Sequence, residues 1–183
     1  MRISWKKEPV SDAIVYDRQD FPSHAVIAAI ASQVWLLLMF LGALLAASLV
    51  WFFKSGDSMP AKMTLWFFKM AIVGLIGSFA LHELAHAMML KRIEAVTHIA
   101  IDRTAWRISI VPRGTMTARQ VVNVAIIGPV SCVAVGSALW ISNLDISLAW
   151  WYLAHGIFLL PFFGDGRNFY NGLRGHGGSS FGQ

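Results

Sequence analysis

The sequence predicts an all-α integral membrane protein of about four transmembrane helices, with a short β-hairpin-like loop at the membrane surface. Four apolar segments each approach or exceed the ~20 residues that span a bilayer. Charged residues make up only 14% of the 183 residues, against roughly 25% in a soluble domain. Mean hydropathy is +0.58. Eight Trp and twelve Phe supply material for lipid contacts and interface anchors.

The first apolar segment, residues 25–53, contains no charged residue. The second, residues 65–90, is interrupted by Lys69 near its start and by Glu83 with two histidines near its end. The third and fourth cover residues 121–141 and 146–163. A basic stretch, residues 91–119, joins the second to the third. The expected organisation is therefore an arm (residues 1–24), a single transmembrane unit (residues 25–171) and a flexible Gly-rich tail (residues 172–183). The arm is polar and of mixed charge, with no short apolar core behind its first positive residues, so the first span is expected to be retained rather than cleaved. Cys132 is the single cysteine, which leaves no intrachain disulfide.

The net charge of +5 does not point to nucleic acid, because the basic residues form no stripe with interleaved aromatics. They flank the apolar runs instead. Arg2, Lys6, Lys7 and Arg18 lie in the arm, Lys91, Arg92, Arg103, Arg107, Arg113 and Arg119 in the central loop, and Arg167 and Arg174 after the fourth segment. With four spans these regions share one side, and Lys54, Lys62 and Lys69 mark the other. The positive-inside rule places both termini and the central loop in the cytoplasm. Size and composition suggest a bacterial cytoplasmic membrane.

Within the central loop, residues 96–102 and 107–111 are rich in β-branched residues and partly alternating, with Trp106 between them. They read as a hairpin near the membrane surface. Small residues at Gly128, Cys132 and Gly136, and at Gly42 and Ala46, read as faces for close helix packing.

An ionisable side chain inside a span costs about 2.5–3.5 kcal/mol on insertion scales, and the second segment carries three in five residues: His82, Glu83 and His86. On an α-helix, i and i+4 share a face, so both imidazoles can hold one metal ion. Glu83 is rotated by about 100° from His82, which suits it to a water on the metal rather than to the metal itself. A zinc ion lowers the pKa of that water toward ~7, and the carboxylate can accept its proton and pass it to a leaving amine.

A catalytic zinc usually has a third protein ligand. The candidates are Asp165, His155 and His98. The second and fourth spans run in the same direction, and both Asp165 and the histidine motif lie toward the cytoplasmic end. His155 is ten residues earlier, about 15 Å deeper on a continuous helix. Asp165 is the better placed, with Gly164, Gly166 and Pro161 beside it to bend the chain. His155 is expected to hydrogen-bond to a neighbouring helix.

The run His82-Glu83-Leu84-Ala85-His86 in a span, Gly128-Pro129 in the next, and Leu159-Leu160-Pro161 followed by Asp165-Gly166 together resemble the site-2 protease family of intramembrane zinc metalloproteases. The resemblance covers about residues 74–168. It implies His82, His86 and Asp165 as zinc ligands and Glu83 as catalytic base. The chain departs from the family pattern at Phe158, where an Asn is common, at Gly164, where a Leu is common, and at Ser131 and Cys132, where a further Asn often follows.

The expected activity is hydrolysis of peptide bonds in or near the membrane, on a membrane-protein substrate that unwinds locally. A substrate that unwinds loses its helical hydrogen bonds, at several kcal/mol for each group left unpaired in hydrocarbon. Either strand of the hairpin, through Ile99 and Ile101 or through Ile108 and Ile110, is expected to offer an open edge on which the substrate regains them. The rival expectation is a catalytically silent member of the same fold, acting as scaffold or chaperone for a partner subunit. The chain's small size and lack of a soluble substrate-selecting domain favour that rival.

Overall fold

The structure, a computed structural model, describes residues 13–104 and 108–174. It is mostly helical with a small sheet. Strand β1 (Ile14–Asp17) leads into helices α1 (Ser23–Gln33), α2 (Trp35–Ser55) and α3 (Met59–Lys69). A π-helical stretch, Met70–Ile76, joins α3 to α4 (Gly77–Lys91). Strands β2 (Val96–Arg103) and β3 (Ile108–Gly114) precede α5 (Ala118–Ile141), α6 (Ile146–Leu153), a 3-10 turn (Ala154–Leu159) and α7 (Gly164–Leu173). Three helices are long and apolar enough to cross a membrane: Trp35–Ser55, Met59–Lys91 and Ala118–Ile141. The bent pair Ile146–Leu159 and Gly164–Leu173, at 45°, makes a fourth if it counts as one span.

The first apolar segment is not one helix. It breaks at Val34, so that the candidate span begins at Trp35 and α1 lies apart from it. Burial explains the break: Val26, Ala29 and Ile30 of α1 belong to the main core. In contrast, Leu36, Met39, Phe40 and Phe53 of α2 are exposed, as side chains facing lipid are. Among the described residues nothing packs on the expected face at Gly42 and Ala46: a Cβ on Gly42 would meet nothing within 4 Å, and Ala46 is exposed. The contact of α2 with α3 runs instead through a buried hydrogen bond between Ser48 and Thr64, 3.1 Å.

The expected two-stranded loop is a three-stranded antiparallel sheet in the order β1-β2-β3. The arm supplies the third strand, with Ile14 opposite Ile101 and Asp17 opposite His98. Ile99, Ile101 and Ile110 of the sheet pack with α1, Leu90 of α4 and Val121 and Val124 of α5 in one core. That core sits at the end of the bundle where the second span finishes. Trp106 and Arg107 lie outside the described residues, as does the tail from residue 175. Gly172 and Leu173, expected in the tail, are helical.

Local chemistry sets the other boundaries. Gly56, at φ 77°, ends α2 in the left-handed conformation that glycine adopts without steric cost. Thr117 and Gln120 form a reciprocal capping box at the start of α5. Asp145 caps α6 through the Leu148 amide at 3.0 Å and pairs with Lys69 at 2.7 Å. In the π-helical stretch, the Val73 carbonyl accepts from the Tyr152 hydroxyl at 2.9 Å, and the Trp151 indole covers Gly74. Both contacts tie the second span to α6. A Cβ on Gly136 would lie 2.8 Å from the Leu153 amide nitrogen, so α5 and α6 pack closely on the small-residue face read from the sequence.

Candidate metal centre

His82 and His86 lie one turn apart on the buried face of α4. Their rings meet edge to face at 4.7 Å, with the two Nε2 atoms 3.1 Å apart. Asp165 comes to them from the first turn of α7, with its Oδ2 2.9 Å from His82 Nε2 and 3.5 Å from His86 Nε2. Helix α7 can begin there because residue 166 is glycine. A Cβ at Gly166 would sit 2.0 Å from the Leu160 carbonyl oxygen, so any side chain would push α7 away from the turn before it.

The donor set fits a zinc ion. Zinc takes imidazole nitrogen and carboxylate oxygen at about 2.0–2.2 Å, and a triangle with edges of 2.9, 3.1 and 3.5 Å has the size for one ion to touch all three. Nδ1 of His86 donates to the Val124 carbonyl at 2.7 Å, which leaves Nε2 as a bare lone pair, the form in which an imidazole can accept a metal ion. Ligating histidines are commonly oriented in this way through the other nitrogen. Space is kept open on the α5 side as well. A Cβ on Gly128 would lie 2.5 Å from His86 Nε2 and 3.1 Å from His82 Nε2.

Glu83 is half-buried, and its carboxylate approaches the backbone amide of Ile110. The ladder explains how that amide is available. Ile99 of β2 stands opposite Pro112 of β3, and proline has no N–H to give to a ladder, so that position faces outward. Ile110 and Ile108 share its parity, and their amides also point away from β2. Helix α4 therefore meets the outer edge of β3 at Glu83.

The structure brings His82, His86 and Asp165 together, with Glu83 next to them. His98 lies apart, exposed and bonded to Thr97 at 3.0 Å. His155 is near the candidate ligands after all, its ring 5.3 Å from that of His82. Its Nδ1 donates to the Trp151 carbonyl of its own helix at 3.0 Å, not to a neighbouring one. The expectation of an open edge fails for β2, which is paired on both sides, and Ile99 and Ile101 are buried in the core. Strand β3, with Ile108 and Ile110, is an outer strand with no further strand beside it among the described residues, and its outer edge meets Glu83 at Ile110.

No sequence signal marks the Val124 carbonyl, a backbone group that every residue carries. Nor did it show that Phe158 would pack against His82 and His155, with ring centres at 5.2 and 5.3 Å. Gly128 was visible in its Gly-Pro pair, though not as clearance for the histidines. Compared with family models, with curated proteins and with solved structures, the chain finds no match in any of the three.

Proposed function

We propose that the protein is an intramembrane zinc metallopeptidase of the site-2 protease kind, hydrolysing peptide bonds of a membrane-protein substrate. The observation that carries this reading is the convergence of His82 Nε2, His86 Nε2 and Asp165 Oδ2 within 3.5 Å, one residue from a carboxylate not needed as a ligand. His82, His86 and Asp165 would hold the ion. When bound, zinc supplies Lewis acidity and lowers the pKa of a ligated water toward ~7. Glu83 accepts the proton of the attacking water and delivers it to the leaving amine. Asp165 and Glu83 together offset the charge of a divalent cation in an otherwise apolar bundle.

The free edge of β3 suits an extended substrate. A peptide adding alongside it regains backbone hydrogen bonds and runs past Glu83, which the edge already adjoins. The inferred orientation follows the basic residues, with the sheet and both termini on the cytoplasmic side of a bacterial inner membrane.

One observation favours the scaffold reading. The Phe158 ring lies against His82 at a position where a hydrogen-bonding Asn is common in the resembling family, so substrate loses one polar partner. Zinc content and cleavage together separate the two readings. Purified chain should carry about one zinc, and His82→Ala, His86→Ala and Asp165→Ala should each lose it together with cleavage of membrane substrates. A chain that holds zinc, cleaves nothing, and supports growth equally well with and without Glu83 is a scaffold.

A further inference from the structure

Two buried ring nitrogens lack a hydrogen-bond partner among the described residues, and they belong to neighbouring histidines: Nδ1 of His82 and Nε2 of His155. Buried polar atoms are nearly always paired, so two orphans side by side call for an explanation. His82 is 4% and His155 3% exposed. Because His155 Nδ1 donates to Trp151, its Nε2 is the bare lone pair. Fully buried Cys132 of α5 completes a group: His82, Cys132 and His155 offer ligand atoms that all lie within 4.8 Å of one another.

We propose that His82, Cys132 and His155 form a second, soft-cation site that takes Cu(I), and that it competes with the zinc site for His82. The inference rests on His82 being a ligand of the first set. Ligand softness selects the ion, since thiolate with imidazole favours Cu(I) over hard cations. Charge selects it further. One thiolate neutralises a monovalent ion, whereas a divalent ion with that single anion leaves a net charge against the rings of Phe79 and Phe158, which is costly in apolar surroundings. The zinc set is matched the other way, with two carboxylates for a divalent cation.

Competition follows from the imidazole. Neutral histidine has one lone pair free for a metal, so His82 serves one ion at a time. On binding, Cys132 releases to solvent the thiol proton that it directs at the Ser78 carbonyl, 3.3 Å away. The copper enters and stays as Cu(I), so no electron moves. Filling the second site withdraws a ligand from the first and inhibits hydrolysis.

The test titrates the purified full chain with Cu(I), held reduced by ascorbate without oxygen, and counts both metals. One Cu(I) should bind and one zinc should leave, with a Cu–S distance in the X-ray absorption spectrum of the wild type. Cys132→Ser and His155→Ala should lose Cu(I) affinity by about 100-fold or more, beyond the 10–100-fold expected of an outer-shell change, while keeping zinc. His86→Ala and Asp165→Ala should lose zinc and keep Cu(I). Binding of Cu(I) at wild-type affinity in Cys132→Ser, without sulfur from a cysteine, overturns the site and assigns the ion to methionines. Simultaneous binding of one Cu(I) and one zinc overturns the competition. Absence of zinc from the wild type overturns the zinc reading and the competition with it, while the Cu(I) comparison still decides the second site.

Discussion

Gly128 stands over His86 with no room for a side chain: a Cβ there would lie 2.5 Å from the histidine's Nε2. The nearest atoms belong to a ring that the Val124 carbonyl already holds from behind, so the ring cannot swing away without losing that bond. Gly128→Ala should therefore lower zinc affinity by about 10–100-fold, the range for disturbing a ligand's support. Gly42→Ala, in open space, is the control and should bind zinc normally. Equilibrium dialysis against a zinc buffer measures both. Equal affinity in the two variants would show that the α5 face does not shape the site.

The β3 edge gives a second prediction. Ile108→Pro removes an outward amide without taking a bond from the β2–β3 ladder, so the sheet and the zinc content should persist. Cleavage of substrates found by comparing membranes from wild-type and inactive cells should fall. Proline at Ile99 is no test of the edge, because that strand is internal and its loss disrupts the core. Wild-type processing by Ile108→Pro would reduce the sheet to a connector.

What the sequence revealed about this site depended on periodicity and depth. His82 and His86 could be paired from their spacing of four, and Asp165 from its place near the end of a parallel span. The break at Val34 could not be read, since no Gly, Pro or charge stands at it and the polar pair Ser32-Gln33 just before it is compatible with a continuous helix. What divides the run is whether each half meets the core or the surroundings. Strand β1 was equally hidden. Its partner, Ile101 for Ile14, lies far along the chain, and a short strand in a polar arm has no pattern of its own. That hidden strand is also why β2 was expected to have a free edge.

The inferred orientation makes a third prediction. In a Cys132→Ser background, cysteines placed at exposed Ser55 and at exposed Thr97 should react with an impermeant thiol reagent from opposite sides of the membrane, Thr97→Cys from the cytoplasm. Labelling of both from one side would overturn the four-span arrangement.

The Lys69–Asp145 pair gives a fourth. The hydrogen bond from Lys69 holds the Asp145 carboxyl below its ordinary range. A depressed folded-state pKa gives stability that is fully present above the unfolded value of about 3.9 and is lost as pH falls through the lowered value. Lys69 is 40% exposed, so solvent screening limits the pair to within ~1 kcal/mol. Asp145→Asn keeps the helix cap and should lose only this, whereas Asp145→Ala should lose about 1 kcal/mol more with the cap. In thermal melts the advantage of wild type over Asp145→Asn should shrink in acid. An advantage constant from pH 6 to pH 3 would contradict the pairing.

The most direct measurement compares the wild-type chain with Glu83→Gln in bilayer discs, reading bound zinc and cleavage of one membrane substrate in the same sample. Glu83 is assigned to proton transfer and not to the metal. Glu83→Gln should therefore hold about one zinc per chain, as the wild type does, while its cleavage rate falls by about 10²–10⁴-fold. Undiminished cleavage in Glu83→Gln, or a wild-type chain that cleaves without zinc, would contradict the account.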